Sequence, residues 1–194
     1  MTMKTGSFYA LLFRMSYIHR WGLMDCDRKE TLAEHAMQVA VLTHALAVIG
    51  TTRFGRTYSP ERLATAALYH DMSEIYTGDL PTPVKYYNPE ITKAYKELEK
   101  TAEEKLLSMQ DEKTREHFSA LLDLNDEEKR ILKTADKLTA YLKCQKELSR
   151  NNRDFEAAAA ATKKALDADE LPELRFFMEK YFPAFLQNLD EIVL

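Results

Sequence analysis

The sequence predicts an all-α protein, a single helical domain spanning residues 1–194. Three observations carry that prediction. Apolar residues recur at helical spacing along most of the chain, and no alternating β-branched run interrupts them. Helix-start patterns recur as well: T-x-x-E at Thr31, S-P-E at Ser59, N-P-E at Asn88 and D-E-E at Asp126. Glycine is scarce, five residues against the ~7% of an average chain. They stand at Gly6, Gly22, Gly50, Gly55 and Gly78, and none follows. Tight hairpins, β-bulges and phosphate-cradling loops all draw on glycine at positive φ. Neither G-x-G-x-x-G nor G-x-x-x-x-G-K-[ST] occurs.

Taken in order, Phe8, Leu11, Leu12, Met15 and Ile18 predict a first helix over residues 7–19. Thr31-Leu32-Ala33-Glu34 forms a capping box, in which hydroxyl and carboxylate satisfy free backbone N–H groups. The helix it opens is expected to stop at Gly50. Ser59-Pro60 starts a third helix, and Asn88-Pro89 a charged one over residues 88–109, with an apolar stripe at Ile91, Tyr95, Leu98 and Ala102. Asp126-Glu127-Glu128 opens a helix to residue 148, and Asp154 an alanine-rich one. The aromatics Phe176, Phe177, Tyr181, Phe182 and Phe185 close the chain. Two loops are expected, over residues 21–30 and 78–87.

Charge and composition exclude several classes. A formal net charge of −4 argues against a nucleic-acid polymer as partner, since that function leaves a basic footprint. No apolar run approaches the ~20 residues that span a bilayer, so no membrane is expected. Arg14 breaks the short apolar patch near the N-terminus, which does not read as a signal peptide. Cys26 and Cys144 are far apart and form no C-x-x-C. They read as reduced thiols of a cytoplasmic protein.

Four polar residues stand in apolar company. His35 has Leu32 three residues before it, Val39 four after and Leu42 seven after, so its imidazole faces the core. His70-Asp71 ends the apolar run that begins at Leu63, and Asp136 has Leu132 and Ala140 four residues to either side. Any one of them has an ordinary explanation, as a satisfied core histidine or a paired aspartate. Coincidence on three separate helices changes the balance. Two nitrogen and two oxygen donors suit one Mn, Fe, Co or Ni divalent ion, with positions left for water and substrate. His44 falls on the opposite face of its helix and His117 lies in a charged stretch, so one metal is expected rather than two. Glu74 shares a face with His70 and Asp71 if the helix continues, and is a candidate acid–base group.

The order His35…His70-Asp71…Asp136 resembles the metal signature of the HD-domain phosphohydrolase superfamily. His19-Arg20-Trp21, Ala33-Glu34-His35, Tyr69-His70-Asp71-Met72-Ser73-Glu74 and the long segment Thr77-Gly78-Asp79-Leu80-Pro81-Thr82-Pro83-Val84-Lys85-Tyr86 are similar to bacterial HD-domain 5′-deoxynucleotidases of the YfbR type. Ala135-Asp136-Lys137-Leu138 and Ala140-Tyr141-Leu142-Lys143 match too.

The resemblance implies an α-helical, homodimeric, metal-dependent phosphomonoesterase that removes phosphate from deoxyribonucleoside 5′-monophosphates. By position, it implies that His35, His70, Asp71 and Asp136 hold one divalent metal, cobalt or manganese being typical, and that Arg20 orients the phosphate. It further implies that Trp21 shapes the sugar pocket and that Asp79, Leu80, Pro81 and Thr82 contact the nucleoside. Glu74 or Asp79 is expected to protonate the leaving oxygen, and the residues alone do not choose between them. Other HD-type enzymes, acting on phosphodiesters, alarmones or triphosphates, are the alternative reading; a non-catalytic helical module is a third.

Overall fold

The computed structural model describes residues 6–192 and is helical throughout, with α1 (Ser7–Leu12), α2 (Leu32–Arg53), α3 (Pro60–Leu68), α4 (Glu74–Thr77), α5 (Thr82–Lys85), α6 (Pro89–Leu107), α7 (Glu112–Leu122), α8 (Asp126–Ser149), α9 (Glu156–Asp167) and α10 (Pro172–Lys180). Short 3-10 turns cover Phe13–Tyr17, Arg153–Phe155 and Phe182–Leu186. Residues 1–5, the head of the N-terminal stretch discussed above, lie outside the described residues, as do 193 and 194.

Chain contacts group the residues into two compact units. The first takes residues up to 24, 28–37 and 68–123. Its core is Phe8, Met72, Leu106, Leu107, Met109 and Phe118, with Tyr69, Ile75 and Leu121 packed against it. Phe8 and Tyr69 meet Phe118 edge to face at 5.0 and 5.1 Å. Burying Phe8 completely stabilises the fold by roughly 2–3 kcal/mol. Asn88 caps α6 by accepting the Ile91 N–H at 2.7 Å, with Pro89 in the first turn where its missing donor costs nothing. Asp111 caps α7 through the Thr114 N–H.

The second unit takes residues 25–27, 38–67 and 124 onward. Asn125 and Glu128 form a reciprocal capping box at the start of α8. Glu128 also accepts from Arg62 at 2.8 Å. Leu46, Leu63, Ile131, Leu138, Phe155 and Leu174 are fully buried.

Several boundaries differ from the sequence expectation. The first helix turns 3-10 at Phe13 and ends by Tyr17, because Ile18 goes extended and His19 pairs with Thr31 in an antiparallel bridge. Ile18 O accepts from Leu32 N at 2.8 Å, and Glu30 O from Arg20 N at 2.9 Å. Backbone pairing there closes the base of the 21–30 loop. Gly50 does not stop α2, which runs on to Arg53. It is the close approach of Tyr58 that requires glycine: a Cβ at Gly50 would lie 2.6 Å from the Tyr58 ring. Gly55, at φ +64°, sits where the chain leaves the helix instead.

The expected loop 78–87 contains the short α5, and α7 carries the charged stretch around His117. The alanine-rich helix starts at Glu156 behind a 3-10 turn capped by Asn152, rather than at Asp154. Among the described helices, α2 is the one long and apolar enough to cross a membrane, and more than half of that stretch is buried in the protein.

Candidate metal centre

His35 enters the first unit one turn into α2. Thr31 and Glu34 hold that start: the Thr31 hydroxyl accepts the Glu34 N–H at 3.2 Å, and the Glu34 carboxylate accepts the Thr31 N–H at 2.8 Å. The predicted capping box therefore fixes the turn that presents His35, which is fully buried.

His70 and Asp71 do not lie on a continuing helix. α3 ends at Leu68, residues 69–73 are turns and α4 begins at Glu74. The break throws both side chains to the same place. One Asp71 carboxylate oxygen lies 3.0 Å from His70 Nε2 and 3.6 Å from His35 Nε2, and the two imidazoles are 5.4 Å apart. His35, His70 and Asp71 each offer a ligand atom, and these atoms all lie within 4.8 Å of one another. Burial raises the Asp71 pKa, but the neighbouring His70, His35 and Arg20 outweigh it and hold the carboxyl well below the usual range. Two imidazole nitrogens and an ionised carboxylate fit a first-row divalent cation.

Asp136, the fourth expected donor, lies half-buried on α8 in the second unit. His44 and His117 are exposed and stand outside the donor cluster.

Arg20 is held by three carboxylates. Its guanidinium lies 3.5 Å from both Glu30 and Asp71 and 4.0 Å from Asp79. A mostly buried fork aimed at the rim of the donor cluster suits an anion with several oxygens. Trp21 follows in the left-handed region at φ 60°, strained for so large a residue. Its N–H donates to Asp79 at 3.2 Å and its indole N–H to Glu30 at 3.3 Å. Gly78, at φ +70°, caps α4 and turns the chain into Asp79. Leu80 and Pro81 are half-buried after it, and Thr82 is exposed at the first turn of α5.

Glu74 is buried, and its carboxyl is pushed up to about 8 by burial first and then by Asp71 and Asp79. It joins the cluster through the chain, its N–H donating to Asp71 O at 3.0 Å, rather than along a helix face as its spacing suggested.

Glu30 is the residue that sequence reasoning missed. It is buried to 8% exposure and braces both Arg20 and Trp21. Nothing marks it in the polar stretch Asp25-Cys26-Asp27-Arg28-Lys29-Glu30, which reads as a solvated loop. Its one signal is its place directly before the capping box.

Solved structures share this architecture. An HD-domain phosphohydrolase from Listeria innocua superposes with a TM-score of 0.82, covering 96% of this chain and 92% of its own, at 21% identity. The cyanophage S-2L HD phosphohydrolase DatZ, bound to dA and one catalytic Zn2+ ion, gives 0.64, covering 90% and 96%, also at 21% identity. The fold is that of the HD-domain phosphohydrolases.

Relatives in sequence are much nearer. The 5′-deoxynucleotidase VP0926 of Vibrio parahaemolyticus is 48% identical over 98% of this chain and all of its own length. The 5′-deoxynucleotidase YfbR of Escherichia coli is 46% identical, covering 98% and 97%. The family described as 5′-deoxynucleotidase YfbR-like matches residues 7–185, from the first residue of α1 almost to the end of the last 3-10 turn. The resemblance first carried by short motifs thus extends over residues 7–185, and the chain belongs to the YfbR-like 5′-deoxynucleotidase family.

Proposed function

We propose that this chain is a metal-dependent phosphomonoesterase hydrolysing deoxyribonucleoside 5′-monophosphates to deoxyribonucleosides and phosphate, and that the whole chain works as one HD-type domain. The observation that carries the reading is the convergence of His35, His70 and Asp71, with Arg20 held against their edge. These three residues, with Asp136 from its Ala-Asp-Lys-Leu motif, would hold one divalent ion, cobalt or manganese being typical activators. Such an ion supplies, when bound, positive charge for the phosphoryl oxygens and a more acidic water.

The chain's own residues do the rest. Arg20 binds the phosphate with two parallel N–H groups, its fork pre-aligned by Glu30 and Asp79. Trp21 packs on the deoxyribose and leaves no room for a 2′-hydroxyl. Asp79, Leu80, Pro81 and Thr82 contact the nucleoside. Either Glu74 or Asp79 delivers the proton to the leaving 5′-oxygen. The protein works in the cytoplasm as a homodimer.

A panel of dAMP, AMP and dATP, assayed for phosphate release with Co2+, Mn2+, Mg2+ or chelator, tests the reading. Release from dAMP far above AMP, abolished by chelator, is expected. Release of triphosphate or pyrophosphate from dATP in preference to phosphate from dAMP would overturn it. His70→Ala and Asp136→Ala are expected to remove bound metal and turnover together. Turnover retained with full metal content in either variant would exclude that residue as a ligand.

A further inference from the structure

We propose that the first unit carries a second ligand site, a groove on the N-terminal half of α6 that binds a nucleoside triphosphate. The groove is shallow and open to solvent, with about 780 Å3 of space along it. Lys93, Lys96 and Lys100 line it. Three- and four-residue steps place them on one face of α6, over a length of roughly 10 Å at ~1.5 Å per residue. All three are exposed. Lys93 and Lys96 make no ion pair among the described residues, and Lys100 reaches Glu104 only at 3.9 Å. Glu97 is the single carboxylate of the lining, so three ammonium groups face one negative charge there, in a chain whose net charge is −4.

The same lining includes Tyr86 and Tyr87, 59% and 76% exposed. Tyrosine rings in water beside a lysine row match one ligand chemistry, a planar base joined to a chain of phosphates. The base stacks on the rings and the phosphates run along the lysines. The basic stretch is as long as one triphosphate and too short to track a strand of nucleic acid, which is why a single nucleotide is the better occupant. Neither the metal donors nor Arg20, Trp21 or Asp79 belongs to this groove.

It does adjoin the segment that leaves Asp79. The Thr92 hydroxyl lies 3.1 Å from Lys85 O and 3.0 Å from Asn88 O, and Lys85 pairs with Glu99 at 2.7 Å, so α5 is fastened to α6 beside the groove.

Equilibrium binding of dATP and of inorganic tripolyphosphate to the full chain in EDTA tests the site without metal or turnover. One dATP per chain is expected, with at least a tenfold loss of affinity in Lys93→Ser/Lys96→Ser and a weakening by added salt. Tyr87→Ser is expected to weaken dATP several-fold and leave tripolyphosphate unchanged. Turnover of dAMP by the metal-loaded lysine variant, measured without dATP, is expected to stay at the wild-type rate, which also reports its folding. No dATP binding, or binding untouched by the lysine changes whether or not Arg20→Ala removes it, overturns the proposal. So does a single-stranded oligonucleotide that binds through the same lysines more tightly than dATP.

Discussion

Glu147 gives the sharpest test of the energetics. It lies near the end of α8, 2% exposed, and every bond it makes is to a donor. Lys143 Nζ donates at 2.5 Å, Asn152 Nδ2 at 2.8 Å and the Asp27 N–H at 3.0 Å. Burial works against the charge, but these hydrogen bonds and the Lys143 ammonium outweigh it and hold the carboxyl at about 2, against an ordinary 4.5. That gap corresponds to about 3 kcal/mol of stability. The folded-state value is the depressed one, so the contribution is complete above pH 4.5 and drains away as the pH falls towards 2.

Glu147→Gln is therefore expected to lower the unfolding free energy by about 3 kcal/mol at pH 7, the buried Lys143 losing this charged acceptor. Urea denaturation of both proteins at pH 7 and pH 3 reads the linkage directly. The difference between them is expected to narrow by about 2 kcal/mol on going to pH 3, because wild type loses there what the variant never had. A deficit below about 1 kcal/mol at pH 7, or one that is the same at both pH values, would refute the account.

Other outcomes are equally specific. Trp21→Ala is expected to reduce the deoxy-to-ribo ratio of kcat/KM at least tenfold, read from dAMP and AMP; an unchanged ratio would remove Trp21 from sugar selection. Glu30→Gln keeps a hydrogen-bonding group but removes the charge beside Arg20, and is expected to lower kcat/KM for dAMP by roughly ten- to a hundredfold without loss of the folded state by circular dichroism. Gly50→Ala brings a methyl group 2.6 Å from the Tyr58 ring and 2.9 Å from the Glu173 carboxylate. It is expected to cost about 1–3 kcal/mol, a fall in Tm of roughly 2–4 °C per kcal/mol, seen by calorimetry.

Much of the fold was legible because its helix starts are local. Thr31 with Glu34 and Asn88 with Ile91 satisfy backbone donors within three residues, and such patterns need no tertiary context; the Asp126-Glu127-Glu128 start reads one residue late, since Asn125 is the cap. The termini that depend on distant partners were not legible. Gly50 looks like a stop because glycine usually ends helices, whereas its role here is set by a ring eight residues on.

The first helix is cut short by pairing between residues 19 and 31, separated by a loop whose closure no periodicity records. The same loop explains the site's one omission. His35, His70 and Asp71 were visible as polar residues on apolar faces, but Glu30 stands among charged neighbours and becomes buried only when the loop closes. The shared face of His70, Asp71 and Glu74 depended on the helix continuing, and the turn over residues 69–73 is the local departure that brings His70 and Asp71 together.

The left-handed backbone at Trp21 bears on how such a site can change over generations. Asp79 grips the main chain of residue 21, and that grip is indifferent to whichever side chain stands there. The indole is tied separately, to Glu30. Position 21 can therefore exchange its ring without surrendering the main-chain brace, and a glycine there would even relieve the conformational cost of roughly 1–2 kcal/mol. Position 79 has no such freedom, since any substitution disturbs Arg20 and the neighbouring backbone at once. On the proposed reading, residue 21 is an open route for drift in sugar preference, while its two partners keep the aspartate fixed.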